Sequence, residues 1–200
     1  MPVLGITGGI ATGKTLFTEC LTRLFPALEV FDADHCSREL TASDPATLAA
    51  IRDHFGPDVF DASGVLQRPA LRAIVFADPA ERKALEAILH PAIHRCWQGL
   101  ARTIRERPGA PWLAADIPLL FETSAETHFD KVVVVACSAL TQRRRLMDRR
   151  QLPPGLADSM IASQLPLSEK IDRADFVVWN DGLPEALESQ ARLLALRLFS

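Results

Sequence analysis

Apolar residues fall along this chain in short, nearly solid runs rather than in strict alternation. Val3-Leu4-Gly5-Ile6, Leu28–Phe31, Trp112–Ala115, Lys131–Ala136 and Phe176–Trp179 each read as a strand buried on both faces. Between them lie segments of helical length, the first running from Leu16 to Leu24. Strand and helix in alternation predict an α/β fold, a parallel five-stranded sheet flanked by helices with right-handed crossovers. Ligands in such sheets sit beyond the C-terminal strand ends.

Two segments break the repeat. From Asp44 to Pro108 no strand is apparent, and helices are expected over Ala46–Phe55, Arg68–Phe76 and Pro79–Arg107. Asp44-Pro45 and Asp78-Pro79 mark helix starts, while Gly56-Pro57 and Ala62-Ser63-Gly64 mark turns. This is the pattern of a helical insertion that binds substrate. The second segment, Ser138–Arg173, opens with an arginine-rich stretch. It continues through Pro153-Pro154-Gly155 to a helix near Leu156–Gln164 and then to charged residues. It follows a strand end and is placed to close over phosphates. The expected division is a core of residues 1–43, 109–137 and 174–200, a helical subdomain of 44–108, and a lid of 138–173.

Composition narrows the class. Forty-eight per cent hydrophobic residues among 200 support a sizeable core, and 24% charged residues argue against disorder. A net charge of −3 gives no field that favours nucleic acid. Cys20, Cys36, Cys96 and Cys137 have no metal-ligand or redox spacing and read as reduced thiols. The first strand begins almost at the N-terminus and no apolar run is long enough to span a bilayer, so a cytoplasmic protein without a leader or membrane partner is expected.

The most specific chemistry lies directly after the first strand. Gly8-Gly9-Ile10-Ala11-Thr12-Gly13-Lys14-Thr15 satisfies the phosphate-loop pattern G-x-x-x-x-G-K-[ST] between a strand and a helix. Backbone N–H groups and the helix dipole favour an anion there. Lys14 supplies charge to the β- and γ-phosphates, and the Thr15 hydroxyl suits Mg²⁺. The fold is therefore of the P-loop NTPase type.

Further candidates lie at the other predicted strand ends. Asp32 and Asp34 read as an extended continuation of the second strand, with both carboxylates on one side. One is placed to take a proton from an attacking hydroxyl. The other is placed to cap a helix beginning near His35 or to order metal-bound water. Asp116 ends the third strand and is a weaker metal candidate. Pro118-Leu119-Leu120 is either an apolar substrate surface or core. Arg145 and Arg149 share a helix face, and their forks suit phosphate oxygens or, alternatively, a solvated or RNA-contacting face. His90, before what reads as a helix-starting Pro91, is structural or positions substrate. Asn180, in the turn Asn180-Asp181-Gly182, is a candidate for contact with a purine edge.

These residues together resemble the dephospho-coenzyme A kinase family over nearly the whole chain. The resemblance rests on Thr7-Gly8-Gly9-Ile10-x-x-Gly13-Lys14, Asp32-Ala33-Asp34 with Arg38, and Gly64-Val65-Leu66-x-Arg68-x-x-Leu71. It continues in Leu89-His90-Pro91-x-Ile93, Pro118-Leu119-Leu120-Phe121-Glu122 and Gln142-x-x-Arg145-x-x-x-Arg149. It ends with Gln164 and Ala174-Asp175-x-Val177-x-x-Asn180-x-Gly182. It implies transfer of the ATP γ-phosphoryl group to the ribose 3′-hydroxyl of dephospho-CoA, with Mg²⁺ and a closing lid. Asp34 corresponds to the family's proposed base, and Arg145 and Arg149 to its lid arginines. The implied ATP contacts are Gly9, Ile10, Ala11, Thr12, Gly13, Lys14, Thr15, Leu16 and Asn180. The implied acceptor contacts are Thr7, Asp34, Arg68, His90 and Leu119.

Two positions depart from the pattern. Ala11 stands where glycine is general, which suits a loop with ordinary backbone angles there. Leu16 replaces a common threonine and removes one hydroxyl contact to the α-phosphate. Rival readings are a phosphotransferase for another nucleoside or nucleotide, a GTPase switch, and a nucleotide-dependent RNA-binding module. The chain lacks the N-K-x-D guanine motif, and its acidity weighs against RNA.

Overall fold

In a computed structural model the described residues are 3–106 and 112–199, without the side chains of Arg149, Arg150 and Phe199. The chain packs into two compact units, Met1–Phe31 with Thr103–Ser200, and Asp32–Arg102. The second begins at Asp32 and so includes a helix that follows the second strand directly.

The first unit is built on a five-stranded sheet in the order β2-β3-β1-β4-β5. Its strands are β1 (Val3–Gly8), β2 (Glu29–Asp32), β3 (Leu113–Asp116), β4 (Lys131–Ala136) and β5 (Phe176–Trp179). β1 pairs in parallel with β3 and β4, and β4 with β5. All six residues of β1 are buried, as are five of the six in β4. Covering both faces of a central strand explains why these segments read as solid apolar runs. Helices α1 (Lys14–Leu24) and α9 (Pro184–Phe199) pack together. Phe17 and Leu21 of α1 and Leu187 and Ala191 of α9 join Leu4 and Ile6 of β1 in one apolar core.

Register brings functional strand ends together. Ile6 lies opposite Asp116 of β3, and Gly8 opposite Val135 of β4. The next backbone bond, Ile117 N–H to the Ile6 carbonyl at 2.9 Å, carries β3 to the same edge. The segment after β4 forms α6 (Ala139–Arg150), α7 (Pro154–Ala162) and α8 (Leu167–Asp172). α8 corrects the expectation of a merely charged stretch after Gln164. Its Lys170 is fully buried, its ammonium 2.7 Å from Glu122 Oε1 and 3.3 Å from the Pro118 carbonyl. The pairing hides the charge, so composition alone reads the segment as solvated.

The second unit contains α2 (Ala33–Ser43), α3 (Pro45–Phe55), α4 (Arg68–Ala77) and most of α5 (Pro79–Arg105). Ile51, Val59, Phe60, Leu66 and Leu71 form its core. The single described bridge between its extended residues is Phe60–Leu66. Asp61 closes the turn between them by accepting from Ser63 N–H and Val65 N–H. Pro91 starts no helix: it lies inside α5, where it has no N–H for the Ala87 carbonyl. Residue Arg107, in the expected α5, lies outside the described residues. No described helix is long and apolar enough to cross a membrane.

Asp44 caps α3 as Asp44-Pro45 predicts. Its carboxylate accepts from Thr47 Oγ1 at 2.6 Å and from Thr47 N–H at 2.8 Å. Those bonds, the hydroxyl first, hold its pKa below the ordinary value. Asp44→Ala should therefore lower stability by about 1 kcal/mol at pH 7. Because the folded pKa is the lower one, the contribution is complete above the unfolded value of about 3.9 and is lost as pH falls through the folded value. Denaturant midpoints of the two proteins should differ at pH 7 and converge in acid; a constant gap would contradict this account.

Candidate active site

β1 ends by turning sharply into the phosphate loop. At Gly8, φ is +155°, and an added Cβ would meet the Val135 carbonyl oxygen at 2.2 Å. At Gly13, φ is +99°, and an added Cβ would lie 2.2 Å from Asn180 Nδ2. Neither position admits a side chain. α1 then starts at Lys14 with no side-chain cap and no acidic residue in its first turn. The positive end of its dipole is therefore left to an external anion. Thr15 and Leu16, in that turn, are exposed.

The loop carbonyls are held on the other side by donors from distant segments. Arg145 Nη1 donates to the Ala11 and Thr12 carbonyls at 3.4 and 3.1 Å, and Nη2 to the Asn180 carbonyl at 2.8 Å. Asn180 Nδ2 donates to the same Thr12 carbonyl at 2.8 Å. The Ile10 carbonyl accepts from Gln142 Nε2 at 2.8 Å. Within the loop, the buried Thr12 hydroxyl donates to the Gly9 carbonyl.

The arrangement gives the described site residues definite places. Arg145 is brought to the loop, where its fork bonds the carbonyls. Asn180 is buried, and its amide nitrogen is engaged by the loop. Thr7 is fully buried, and its hydroxyl donates to the Pro118 carbonyl, so it supports the segment that carries half-buried Leu119. The side chain of Arg149 lies outside the described residues. Ala11 does not have ordinary angles: its φ is +60°, a left-handed conformation that disfavours a Cβ.

Asp181 fixes the approach of α6. Its carboxylate accepts from Ser138 N–H, from Ser138 Oγ and from the Trp179 indole N–H. Partial burial pushes its pKa up, but these bonds and one from Thr141 outweigh that and leave the pKa below its ordinary value. Arg143, beside the catalytic candidates in sequence, pairs with Asp158 of α7 instead.

Asp34, Arg68 and His90 belong to the second unit. The expected extended run through Asp34 is absent, because α2 begins at Ala33. Asp32 is its N-cap, accepting from His35 N–H at 2.9 Å, and Asp34 is exposed in the first turn. A helix-capping carboxylate satisfies backbone donors, which ends the strand sooner than alternation suggests. Arg68 reaches α2, donating to the Arg38 carbonyl and to Thr41 Oγ1, while Arg38 Nε donates to the Asp34 carbonyl. Asp34, Arg38 and Arg68 are thus linked. His90 is half-buried inside α5, and burial lowers its pKa against the opposing charge of Glu86.

Among the described residues no group of three or more His, Cys, Asp or Glu forms a ready-made metal cluster. The donors that fit Mg²⁺ are hard oxygens at the shared edge, the Thr15 hydroxyl and the Asp116 carboxylate. Mg²⁺ is commonly carried by substrate phosphates plus one or two such groups. Sequence reasoning quoted Gln142, Gln164 and Glu122 only within a resemblance and missed Lys170.

Comparison with known proteins gives the chain's relatives. The family model described as dephospho-CoA kinase matches residues 2–185. A dephospho-CoA kinase of Anaeromyxobacter dehalogenans is 45% identical over 98% of this chain and 92% of its own length. A crystal structure of a Thermus thermophilus protein, 31% identical, superposes with a TM-score of 0.79 over 100% of this chain and 98% of its own. A Campylobacter jejuni dephospho-CoA kinase shares the fold at 22% identity and a TM-score of 0.66, covering 98% and 96% of the two chains.

The left-handed Ala11 yields a discriminating expectation. Ala11→Gly relieves about 1 kcal/mol of backbone strain and loses a similar amount by loosening the unfolded chain. Its melting temperature should stay near wild type, with ATP affinity retained. Ala11→Val adds branching where φ is positive and should lower both melting temperature and ATP affinity, read by thermal denaturation and calorimetry. A tolerated valine would contradict the left-handed assignment.

Proposed function

The chain belongs to the dephospho-CoA kinase family, and from that premise we propose how its residues carry the reaction. The γ-phosphoryl group of ATP is transferred to the ribose 3′-hydroxyl of dephospho-CoA, giving CoA and ADP. The observation that carries the reading is the uncapped start of α1, free of acidic residues and opening on Lys14 and Thr15. It is a site for a polyanion, formed by backbone donors whose carbonyl counterparts are turned away and held.

The loop from Gly9 to Leu16 grips the ATP phosphates through N–H groups other than that of Ile10, which donates to Gln164. Lys14 adds positive charge where charge builds as the bond to the β,γ-bridging oxygen breaks. Arg145 acts in two ways: its guanidinium adds positive potential beside Gly13, and its hydrogen bonds keep the loop carbonyls from facing the phosphates. Arg149, on the same helix, is assigned by the family motif to the transferred group. When bound, Mg²⁺ would be held by Thr15 and Asp116 and would neutralise triphosphate charge.

Asp34 is assigned to the acceptor. Its exposed carboxylate is suited to take the 3′-hydroxyl proton as the new O–P bond forms. Arg68, His90 and Leu119 are assigned to holding dephospho-CoA. The Ser138–Arg173 segment is assigned the role of a lid that excludes water from the transferred group.

Incubation with Mg-ATP and dephospho-CoA should give CoA and ADP in equal amounts by mass spectrometry. Absence of 3′-phosphorylated product, with ATP bound, would overturn the acceptor. Lys14→Ala should retain its circular dichroism and lose about 10²–10³-fold in kcat. Asp34→Asn should lower kcat by about 10²–10⁴-fold with little change in either KM, and Asp32→Asn should act mainly on stability, as the loss of a cap does. The reverse pattern between the two aspartates would move the base to Asp32.

A further inference from the structure

Ile10 stands out among the loop residues because both polar groups of its backbone are held by side chains. Its N–H donates to Gln164 Oε1 at 2.7 Å, and its carbonyl accepts from Gln142 Nε2 at 2.8 Å. The two amides take opposite roles, and chemistry dictates which atom each must present: oxygen to an N–H, nitrogen to a carbonyl. Gln142 lies in α6 and is 4% exposed. Gln164 lies just beyond the end of α7. One residue, Ile10, is therefore gripped through both of its flanking peptides, from the start of α6 and the end of α7.

Three neighbouring features fit a built clamp. An added Cβ at Gly9 would lie 2.6 Å from Gln142 Nε2, so the absent side chain makes room for the amide. The residue after Gln164 is separately anchored: Leu165 N–H donates to Glu122 Oε1 at 3.0 Å, the oxygen that pairs with fully buried Lys170. The residue after Ile10 is Ala11, with its φ of +60°. A strained residue persists only where its surroundings over-determine it. Here Gln164 holds the Gly9–Ile10 peptide by its N–H, Gln142 holds the Ile10–Ala11 peptide by its carbonyl, and Arg145 holds the carbonyl of Ala11 itself.

We propose that Gln142 and Gln164 are positioning residues for the nucleotide. They fix Ile10, and through it the strained Ala11 and the phosphate-facing N–H groups, to the start of α6 and the end of α7. The arrangement ties the shape of the loop to the placement of those helices without either glutamine touching phosphate. This rests on the reading of the loop as the triphosphate cradle.

The test uses the opposite polarity of the two amides. Gln164→Glu keeps an acceptor for the Ile10 N–H, whereas Gln142→Glu removes the donor to the Ile10 carbonyl. Both add the same charge beside the same residue, so their difference isolates the hydrogen bond. At pH 8.5, where the new carboxyl is ionised, Gln142→Glu should weaken ATP binding by calorimetry about five- to thirtyfold more than Gln164→Glu. KM for ATP should follow, with KM for dephospho-CoA unchanged. The Ile10 amide of the full chain should exchange slowly in wild type and in Gln164→Glu, and faster in Gln164→Met. Equal ATP affinities in the two glutamate variants, or Ile10 exchange unchanged in Gln164→Met, would overturn the clamp. If Gln142→Glu does not fold, Gln142→Met and the exchange of Ile10 decide. Wild type that binds no ATP would instead overturn the cradle, whereas wild-type binding with indifferent variants overturns the clamp alone.

Discussion

A peptide that turns its N–H toward an anion turns its carbonyl away, and that carbonyl still needs a donor. The first unit is organised around this requirement. Arg145, Asn180 and Gln142 supply the donors to the carbonyls of Ile10, Ala11 and Thr12. They come from α6 and from the end of β5, the segments that follow the two strands on one side of β1. Sheet order thus does more than bring ligand-binding ends together: it delivers the donors that the back of the phosphate loop requires.

The same logic extends to the neighbouring edge. Thr7 and Lys170 both donate to the Pro118 carbonyl, and Glu122 receives Lys170 and Leu165 N–H. A lone buried ammonium would be very costly, and this one is stable because a carboxylate and a carbonyl meet it. The segment after β3 and the return of the chain from α7 to α8 are therefore fixed to one another. Thr7, a member of the motif, holds the backbone of this segment in place.

What was legible in the sequence was what is local. The phosphate loop is a contiguous pattern, and the strands are contiguous apolar runs, so the α/β sheet and the start of α1 could be read directly. Asp44 was readable because a cap and its target lie three residues apart. Asp34 was misplaced onto a strand because alternation says nothing about whether Asp32 will cap a helix. That Arg145 and Asn180 also meet the Thr12 carbonyl is not legible in the sequence, because that carbonyl lies 133 and 168 positions away. Spacing on a helix reports which side chains share a face, not which carbonyl they meet. Lys170 is not singled out by the sequence for the same reason.

The bond from the Trp179 indole to Asp181 has an optical consequence. The chain has three tryptophans and no tyrosine, so its near-ultraviolet emission belongs to indole alone. Trp179 shares its carboxylate partner with the Ser138 N–H that begins α6. Any displacement of the α6 root changes the polarity and hydrogen bonding around that ring. The protein therefore carries an intrinsic fluorophore at the joint between its sheet and the helix that holds the phosphate loop, and needs no attached dye to report on that joint.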